Sequence, residues 1–216
     1  MKKYRYILFD LDGTLVYSHG GIFDCARHAL KKLGRQEPPT EELKKFIGPP
    51  LHECFINLFG MCADEADKAV FFFREKYAVE GVLNVQAIPG AKECLQALQE
   101  YGYTLALATS KPEKFAKKIA NNLGFSPYLT EIVGSGLDGS LHTKAAVIEE
   151  VLKRLKTSAK DCLMVGDRFY DIEGAQQTGV DSVGLDVGYA QEGELQEAKP
   201  TYYFQSFDEF TKFLRD

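Results

Sequence analysis

Residues Tyr6–Val16 read YILFDLDGTLV, and the reading of this stretch decides the fold. Tyr6 to Phe9 is an apolar run of strand length that stops at Asp10. Asp12 follows two residues later, and Gly13 comes next. A buried strand ending in acid groups is a poor piece of core, because a carboxylate taken out of water must be paired. It is a good piece of a site.

Working outward, the chain from Pro89 onward alternates helices with short apolar strands. YTLALATS (Tyr103–Ser110), TEIVGS (Thr130–Ser135), CLMVGD (Cys162–Asp167), DSVGLD (Asp181–Asp186) and TYYF (Thr201–Phe204) read as strands. PGAKECLQALQEYG from Pro89, KPEKFAKKIANNLG from Lys111, TKAAVIEEVLKRL from Thr143, YDIEGAQQTG from Tyr170 and SFDEFTKFLRD from Ser206 read as helices. Such alternation predicts an α/β fold with a mainly parallel, Rossmann-like sheet. The N-terminal YRYILF joins that sheet, since a lone strand has no other partner.

Between these parts lies a block of different character. From about Gly20 to Tyr77 the pattern is helical, with no convincing strand. Ile22, Ala26, Ala29, Leu30 and Leu33 recur at helical spacing until Gly34. Thr40 is a candidate N-cap followed by Glu41 and Glu42, Pro49-Pro50 opens a helix through Leu58, and Ala66, Val70, Phe73 and Tyr77 form another face. The expected division is residues 1–17 with 86–216 as an α/β core and 18–85 as an inserted helical cap. Linkers are expected near Tyr17–Gly21 and Gly81–Ile88, with Gly20, Gly21 and Gly81 as hinges. No basic cluster stands out in the block. Arg27, His28, His52 and Arg74 read as a solvated face or as packing, and Phe71–Phe73 as helical core with an edge open to solvent.

Composition narrows the function classes. The 216 residues suit one large domain, or a core with an insertion, and 45% are hydrophobic. There are 26 basic and 31 acidic residues, a net charge of −5, and no basic block, so a nucleic-acid polymer is not an expected partner. The apolar runs fall far short of a membrane span. The basic start MKKYRYILFDLDG is interrupted at Asp10, too early for a secretory signal. Cys25, Cys54, Cys62, Cys94 and Cys162 are odd in number, widely spaced and free of CxxC, which fits a reducing, cytoplasmic setting.

Parallel sheets bind ligands at the carboxyl ends of their strands. There the chain places Asp10 and Asp12, then Thr109 and Ser110, then Asp167 with Asp171 four residues on. Lys144 opens the helix before the last of these strands. Carboxylates gathered at one edge repel unless a cation joins them. Oxygen-only ligands favour a hard ion such as Mg²⁺. Hydroxyls and a lysine complement an anion, and the combination suits a phosphoryl group. Asp10 and Asp12 are spaced so that one carboxylate can attack phosphorus while the other handles the leaving-group proton. Each feature alone has an ordinary reading. DxDG also begins calcium loops and turns, but DLDGTLVYSHGG lacks the later acidic ligands and the closing glutamate of a calcium loop. The four features in this order are far harder to dismiss.

The set resembles the haloacid dehalogenase superfamily in its phosphatase branch. FDLDGTL matches the first motif, LATS the second, Lys144 the third and VGDRFYD the fourth. The resemblance implies a Rossmann-like core with an inserted cap. It further implies Asp10 as the nucleophile that becomes aspartyl-phosphate and Asp12 as the acid that protonates the leaving oxygen and then activates water. Mg²⁺ would sit on the Asp10 side chain, the Asp12 backbone carbonyl and Asp167, with Asp171 nearby or acting through water. Thr109 and Ser110 would hold phosphoryl oxygens, and Lys144 would neutralise Asp10 and the phosphoryl charge. The presence of Asp12 favours phosphate esters over halide displacement, and Thr14 resembles the phosphatases rather than the sugar phosphomutases. IGPPLHECF, SGLDGSLHTKAAVI and GDRFYDIEGA resemble the bacterial phosphoglycolate-phosphatase and 5′-nucleotidase-like group. The expectation is a Mg²⁺-dependent phosphatase of small phosphate monoesters, monomeric or homodimeric. A sugar phosphomutase and a non-catalytic binding module are the alternatives.

Overall fold

The computed structural model describes residues 4–215. The chain divides into two compact units, one holding the segments up to Tyr17 and from Ala87 onward, the other Ser18–Gln86.

The first unit is built on a six-stranded parallel sheet. Its strands are β1 (Tyr6–Phe9), β4 (Thr104–Pro112), β5 (Leu129–Ser135), β6 (Cys162–Gly166), β7 (Asp181–Leu185) and β8 (Tyr202–Phe204), in the order β5-β4-β1-β6-β7-β8. The middle strands are near-continuous apolar runs because helices cover both faces. Leu8, Ala106, Ala108 and Met164 face a cluster completed by Val147, Ile148 and Val151 of α7 (Lys144–Leu155) and Ala175 of α8 (Phe169–Thr178). On the other face Phe9 meets Phe210 of α10 (Phe207–Arg215), ring centroids 6.2 Å apart, and α10 packs on α5 (Ala91–Glu100). The helix α6 (Glu113–Asn122) joins β4 to β5. A short helix α9 (Glu194–Ala198) and a two-stranded sheet of β2 (Val16–Tyr17) and β3 (Gln86–Ala87) are additions to the sequence reading.

Two boundaries differ in ways that bear on the site. The sequence pattern starts the second helix of this part at Lys111, but Lys111 and Pro112 end β4, and α6 starts at Glu113. The ladder between β4 and β5 also slips there. Thr109 pairs with Gly134 and Pro112 with Ser135, so Ser110 and Lys111 bulge out.

The second unit holds α1 (His19–Lys32), α2 (Thr40–Leu43), α3 (Leu51–Phe59), α4 (Ala63–Lys76) and a π-helical turn, Tyr77–Gly81. Cys25, Ala26, Ala29 and Leu30 of α1 are buried, as are Phe46, Phe55, Phe73 and Tyr77; the Phe46 and Phe55 rings lie 5.1 Å apart. Thr40 is the first residue of α2 rather than its cap, and its hydroxyl accepts from Arg27 at 3.0 Å. Only Phe73 of the phenylalanine triplet is buried; Phe71 is 63% exposed, because residues two apart on a helix point nearly opposite ways. Gly20 and Gly21 lie inside α1, and Gly81 closes the π-turn, so none sits in an open linker. A Cβ on Gly21 would stand 2.1 Å from the Gly81 carbonyl oxygen, so this pair lets two backbones touch.

The structure also gathers basic residues where none had stood out. Arg27, His28, Lys31 and Arg35 of α1 and its following turn, with Lys76 of α4, line a cavity of about 440 Å³ together with Asp24 and Glu37. Arg27 and Lys31 are four residues apart on α1 and so share one face, and Arg35 follows beyond the helix end. Most are spoken for: Arg27 pairs with Glu37 at 2.8 Å, Arg35 with Glu65 at 3.1 Å and Lys76 with Glu80. His52 pairs with Asp67 at 3.3 Å.

Candidate active site

The register of the three central strands sets the site. Phe9 lies level with Leu107 on one side and Val165 on the other, so Asp10 emerges beside Ala108 and Gly166. The Asp10 amide still donates to the Val165 carbonyl at 2.9 Å, fixing the residue at the strand end. Asp167 follows Gly166, and Asp171 sits in the first turn of α8, where a carboxylate suits the helix dipole. Gly13 takes φ +86°, a backbone conformation open to glycine, and turns the chain after the two aspartates. Leu11 then closes that turn by accepting from Leu15 at 2.9 Å and Val16 at 3.0 Å.

Lys144 joins the acids. The Thr143 hydroxyl accepts from the Ala146 amide at 3.2 Å, capping α7 and placing Lys144 at its first position. A cation at a helix N-terminus works against the dipole, yet the side chain is buried with its ammonium 2.6 Å from Asp10 Oδ1 and 2.7 Å from Asp171 Oδ1. It also donates to the Ala108 carbonyl at 3.1 Å. Burial disfavours the ammonium, but the two carboxylates outweigh it and raise the lysine's pKa.

Asp10, Asp167 and Asp171 each present an oxygen within 4.8 Å of the others, and all three are buried. Burial, followed by repulsion from Asp171, pushes Asp167 well above the usual carboxylate range, against two donors: the Tyr189 amide at 2.7 Å and the Thr14 hydroxyl at 3.0 Å. Burial also raises Asp171 to about 6 despite Lys144. These two acids are held close at the expense of their charge, and a cation would relieve both.

Asp12 does not join this group. Its Oδ2 lies 2.7 Å from the Lys111 ammonium, and its Oδ1 is buried without a hydrogen-bond partner among the described residues. Thr109 is buried and its oxygen accepts from the Lys111 amide at 3.2 Å, within the bulge. Ser110 is exposed, and its carbonyl accepts from the Ser135 hydroxyl at 2.8 Å.

Three participants escaped the sequence reading. Thr14 enters the sequence reading only as a family marker, but it donates to Asp167. Lys111 reads from sequence as part of a helix. Gly174, in the middle of α8, leaves room for Lys144: a Cβ there would lie 2.6 Å from the lysine Cγ. A glycine inside a helical pattern was the available signal for that close approach.

The family model described as haloacid dehalogenase-like hydrolase matches residues 7–185. A 5′-nucleotidase of Pseudomonas aeruginosa is 41% identical over 201 residues, covering 93% of this chain and 91% of its own. A phosphoglycolate phosphatase of Vibrio parahaemolyticus is 28% identical, covering 97% and 96%. Tyrosine-protein kinase PtkA of Mycobacterium tuberculosis is 33% identical over 90% of this chain, and the match spans 66% of it. Among solved structures, a predicted phosphatase from Clostridium acetobutylicum superposes with a TM-score of 0.93 at 36% identity, covering 98% of each chain. No helix among the described residues is long and apolar enough to cross a membrane.

Proposed function

The chain belongs to the haloacid dehalogenase-like hydrolase family, and on that premise we propose that it is a Mg²⁺-dependent phosphatase of small phosphate monoesters. The observation that carries the reading is Lys144, buried between Asp10 and Asp171, beside Asp167. A lysine so placed sets a positive charge between two carboxylates at a strand end and holds Asp10 by Oδ1.

The donor set fits the metal: three buried carboxylates, two with raised pKa values, form an oxygen-only group for a hard dication. Asp10, Asp167 and the Asp12 backbone carbonyl would hold Mg²⁺, with Asp171 adjacent. When bound, the ion offsets the acidic charge and polarises the phosphoryl oxygens. The protein groups perform the steps. An Asp10 oxygen bonds to phosphorus as the P–O ester bond breaks, and its electron pair leaves on the ester oxygen. That oxygen takes the proton of the Asp12 carboxyl. Water then attacks the aspartyl-phosphate, passing its proton to Asp12, and the Asp10–phosphorus bond breaks to release phosphate. Thr109 and Ser110 are assigned to the phosphoryl oxygens, as hydroxyls at the end of β4.

The names of the relatives support phosphoglycolate-type or nucleotide-type esters as substrates. The core groups above meet only what all phosphomonoesters share, so we assign discrimination among leaving groups to the helical unit, acting as a cap. The experiment is phosphate release from a panel of phosphoglycolate, nucleoside monophosphates and sugar phosphates, with and without Mg²⁺. Mg²⁺-dependent release is expected. ATP-dependent phosphate incorporation into protein, or isomerisation of a sugar phosphate primed with bisphosphate, with little phosphate release, would replace this reading with a kinase or a mutase.

A further inference from the structure

The second ammonium of the site has no role in the mechanism above. Lys111 Nζ stands 2.7 Å from Asp12 Oδ2, and the two side chains are only 6% and 16% exposed. The pair is not a surface contact, where long side chains sample many arrangements. It is built by the backbone. The bulge after Thr109 gives β4 two residues that β5 does not match, which re-aims the Lys111 side chain. The Thr109 oxygen ties down the Lys111 amide at 3.2 Å. Gly134 makes space for the bulge, since a Cβ there would lie 2.3 Å from the Lys111 carbonyl oxygen. Three local features thus serve to bring one lysine over one aspartate.

The two aspartates of the first motif therefore have separate cations. Lys144 serves Asp10 and Asp171, and Lys111 serves Asp12. The remaining oxygen, Asp12 Oδ1, is buried and has no hydrogen-bond partner among the described residues. A buried polar oxygen left unpaired is costly, so this oxygen is held in readiness for a partner that arrives with the reaction. The ester oxygen, which accepts its proton, and the attacking water, which returns one, are the partners the reaction supplies.

We propose that Lys111 is a positioning residue that acts through Asp12. It holds Oδ2, presents Oδ1 to the leaving oxygen, and stabilises the carboxylate that forms once the proton has gone. The proton moves from the Asp12 carboxyl to the ester oxygen as the P–O bond breaks, and Lys111 keeps its own three protons throughout. This inference rests on the phosphatase reading. It goes beyond it in placing the dependence on leaving group with a residue outside the four motif positions.

The test uses two esters that share the phosphoryl group and differ in the leaving group: glycerol 3-phosphate, whose alkoxide needs a proton, and p-nitrophenyl phosphate, whose phenolate does not. Lys111→Met should lower kcat on the alkyl ester by about 10²-fold, the low end of general acid assistance, and lower kcat on the aryl ester only a few-fold, with KM for both little changed. Lys111→Arg should recover most of the alkyl rate. In an Asp12→Asn background, Lys111→Met should cost nothing further. Equal losses on both esters, or a full additional loss in the Asp12→Asn background, overturn the proposal in favour of direct phosphoryl binding or a purely structural role. If Lys111→Met melts below the assay temperature, Lys111→Gln takes its place and the same comparison decides. A wild-type protein inert on the whole ester panel would overturn the phosphatase reading and this one with it. An active wild-type with equal losses overturns this one alone.

Discussion

Replacing Gly174 by alanine adds one methyl group to α8, and the structure says where it goes. The new Cβ would stand 2.6 Å from Lys144 Cγ, 2.8 Å from its Cβ and 3.2 Å from the Ala145 amide nitrogen. Carbon atoms rest at roughly 3.5–4.0 Å, so α7 and α8 must part, or the lysine stem must swing, by about 1 Å. The ammonium sits 2.6 Å from Asp10 and 2.7 Å from Asp171. A displacement of about 1 Å takes it out of hydrogen-bond range of at least one of them. Overpacking of this kind costs about 1–3 kcal/mol, while exchanging glycine for alanine inside a helix returns about 1 kcal/mol. The net loss is then about 0–2 kcal/mol, or a few degrees of Tm at about 2–4 °C per kcal/mol. Turnover should suffer far more, since a misplacement of about 1 Å at a reacting group can cost about 10²-fold. Thermal melting and steady-state hydrolysis of p-nitrophenyl phosphate with Mg²⁺ read the two effects separately. A folded Gly174→Ala protein with wild-type kcat would refute the claim that this contact places Lys144.

Four other outcomes are expected. Asp10→Asn should abolish turnover, and Asp12→Asn should slow alkyl esters by about 10²–10⁴-fold; near wild-type phosphate release by either variant removes the role assigned to it. Mg²⁺ should raise the Tm of chelator-treated protein and restore activity, whereas Ca²⁺, which takes more oxygens at longer distances, should bind and inhibit; activity that survives exhaustive chelation removes the metal. Asp167 and Asp171 have folded pKa values above those of the unfolded chain, Asp171 at about 6. Between roughly pH 4 and 6 the folded metal-free protein thus binds more protons than the unfolded one, so its stability falls as pH rises through that window. Mg²⁺ should stabilise more at pH 7 than at pH 5, and a metal-free Tm that rises steadily from pH 5 to 7 would contradict this. Deleting the helical unit, with about Ser18 joined to about Asn84 by a short linker, should leave weak activity on p-nitrophenyl phosphate and level the ranking of natural esters. A folded core that keeps the full protein's ranking places selectivity elsewhere.

The sheet was legible because its signal is local. Ile7, Leu8 and Phe9, Leu105 to Ala108, and Leu163 to Val165 are continuous apolar runs, and each is buried on both faces. Their ends carried the acids in plain view. What the sequence hid were relations between distant segments. Gly20, Gly21 and Gly81 read as hinges because glycine permits motion, but the same absence of a side chain permits contact, and only the folded α1 and π-turn reveal that Gly21 and Gly81 touch. The basic face of α1 was overlooked for a similar reason. Its residues are dispersed in sequence, and Lys76, which completes the cavity, lies 41 positions beyond Arg35.

Lys111 shows the limit most sharply. A Lys-Pro pair after Thr109-Ser110 has every mark of a helix start, and the strand runs through it only because a bulge absorbs two residues. The consequence is electrostatic. Four carboxylates, Asp10, Asp12, Asp167 and Asp171, share the strand ends with two ammonium groups, Lys111 and Lys144. In the proposed reaction Asp12 begins with its proton on and is neutral, so three carboxylates face two ammonium groups, and a bound dication would turn that balance of one negative charge into one positive charge, suited to a phosphate dianion. When Asp12 gives its proton to the leaving oxygen it gains a negative charge, and Lys111 is the cation beside it at 2.7 Å.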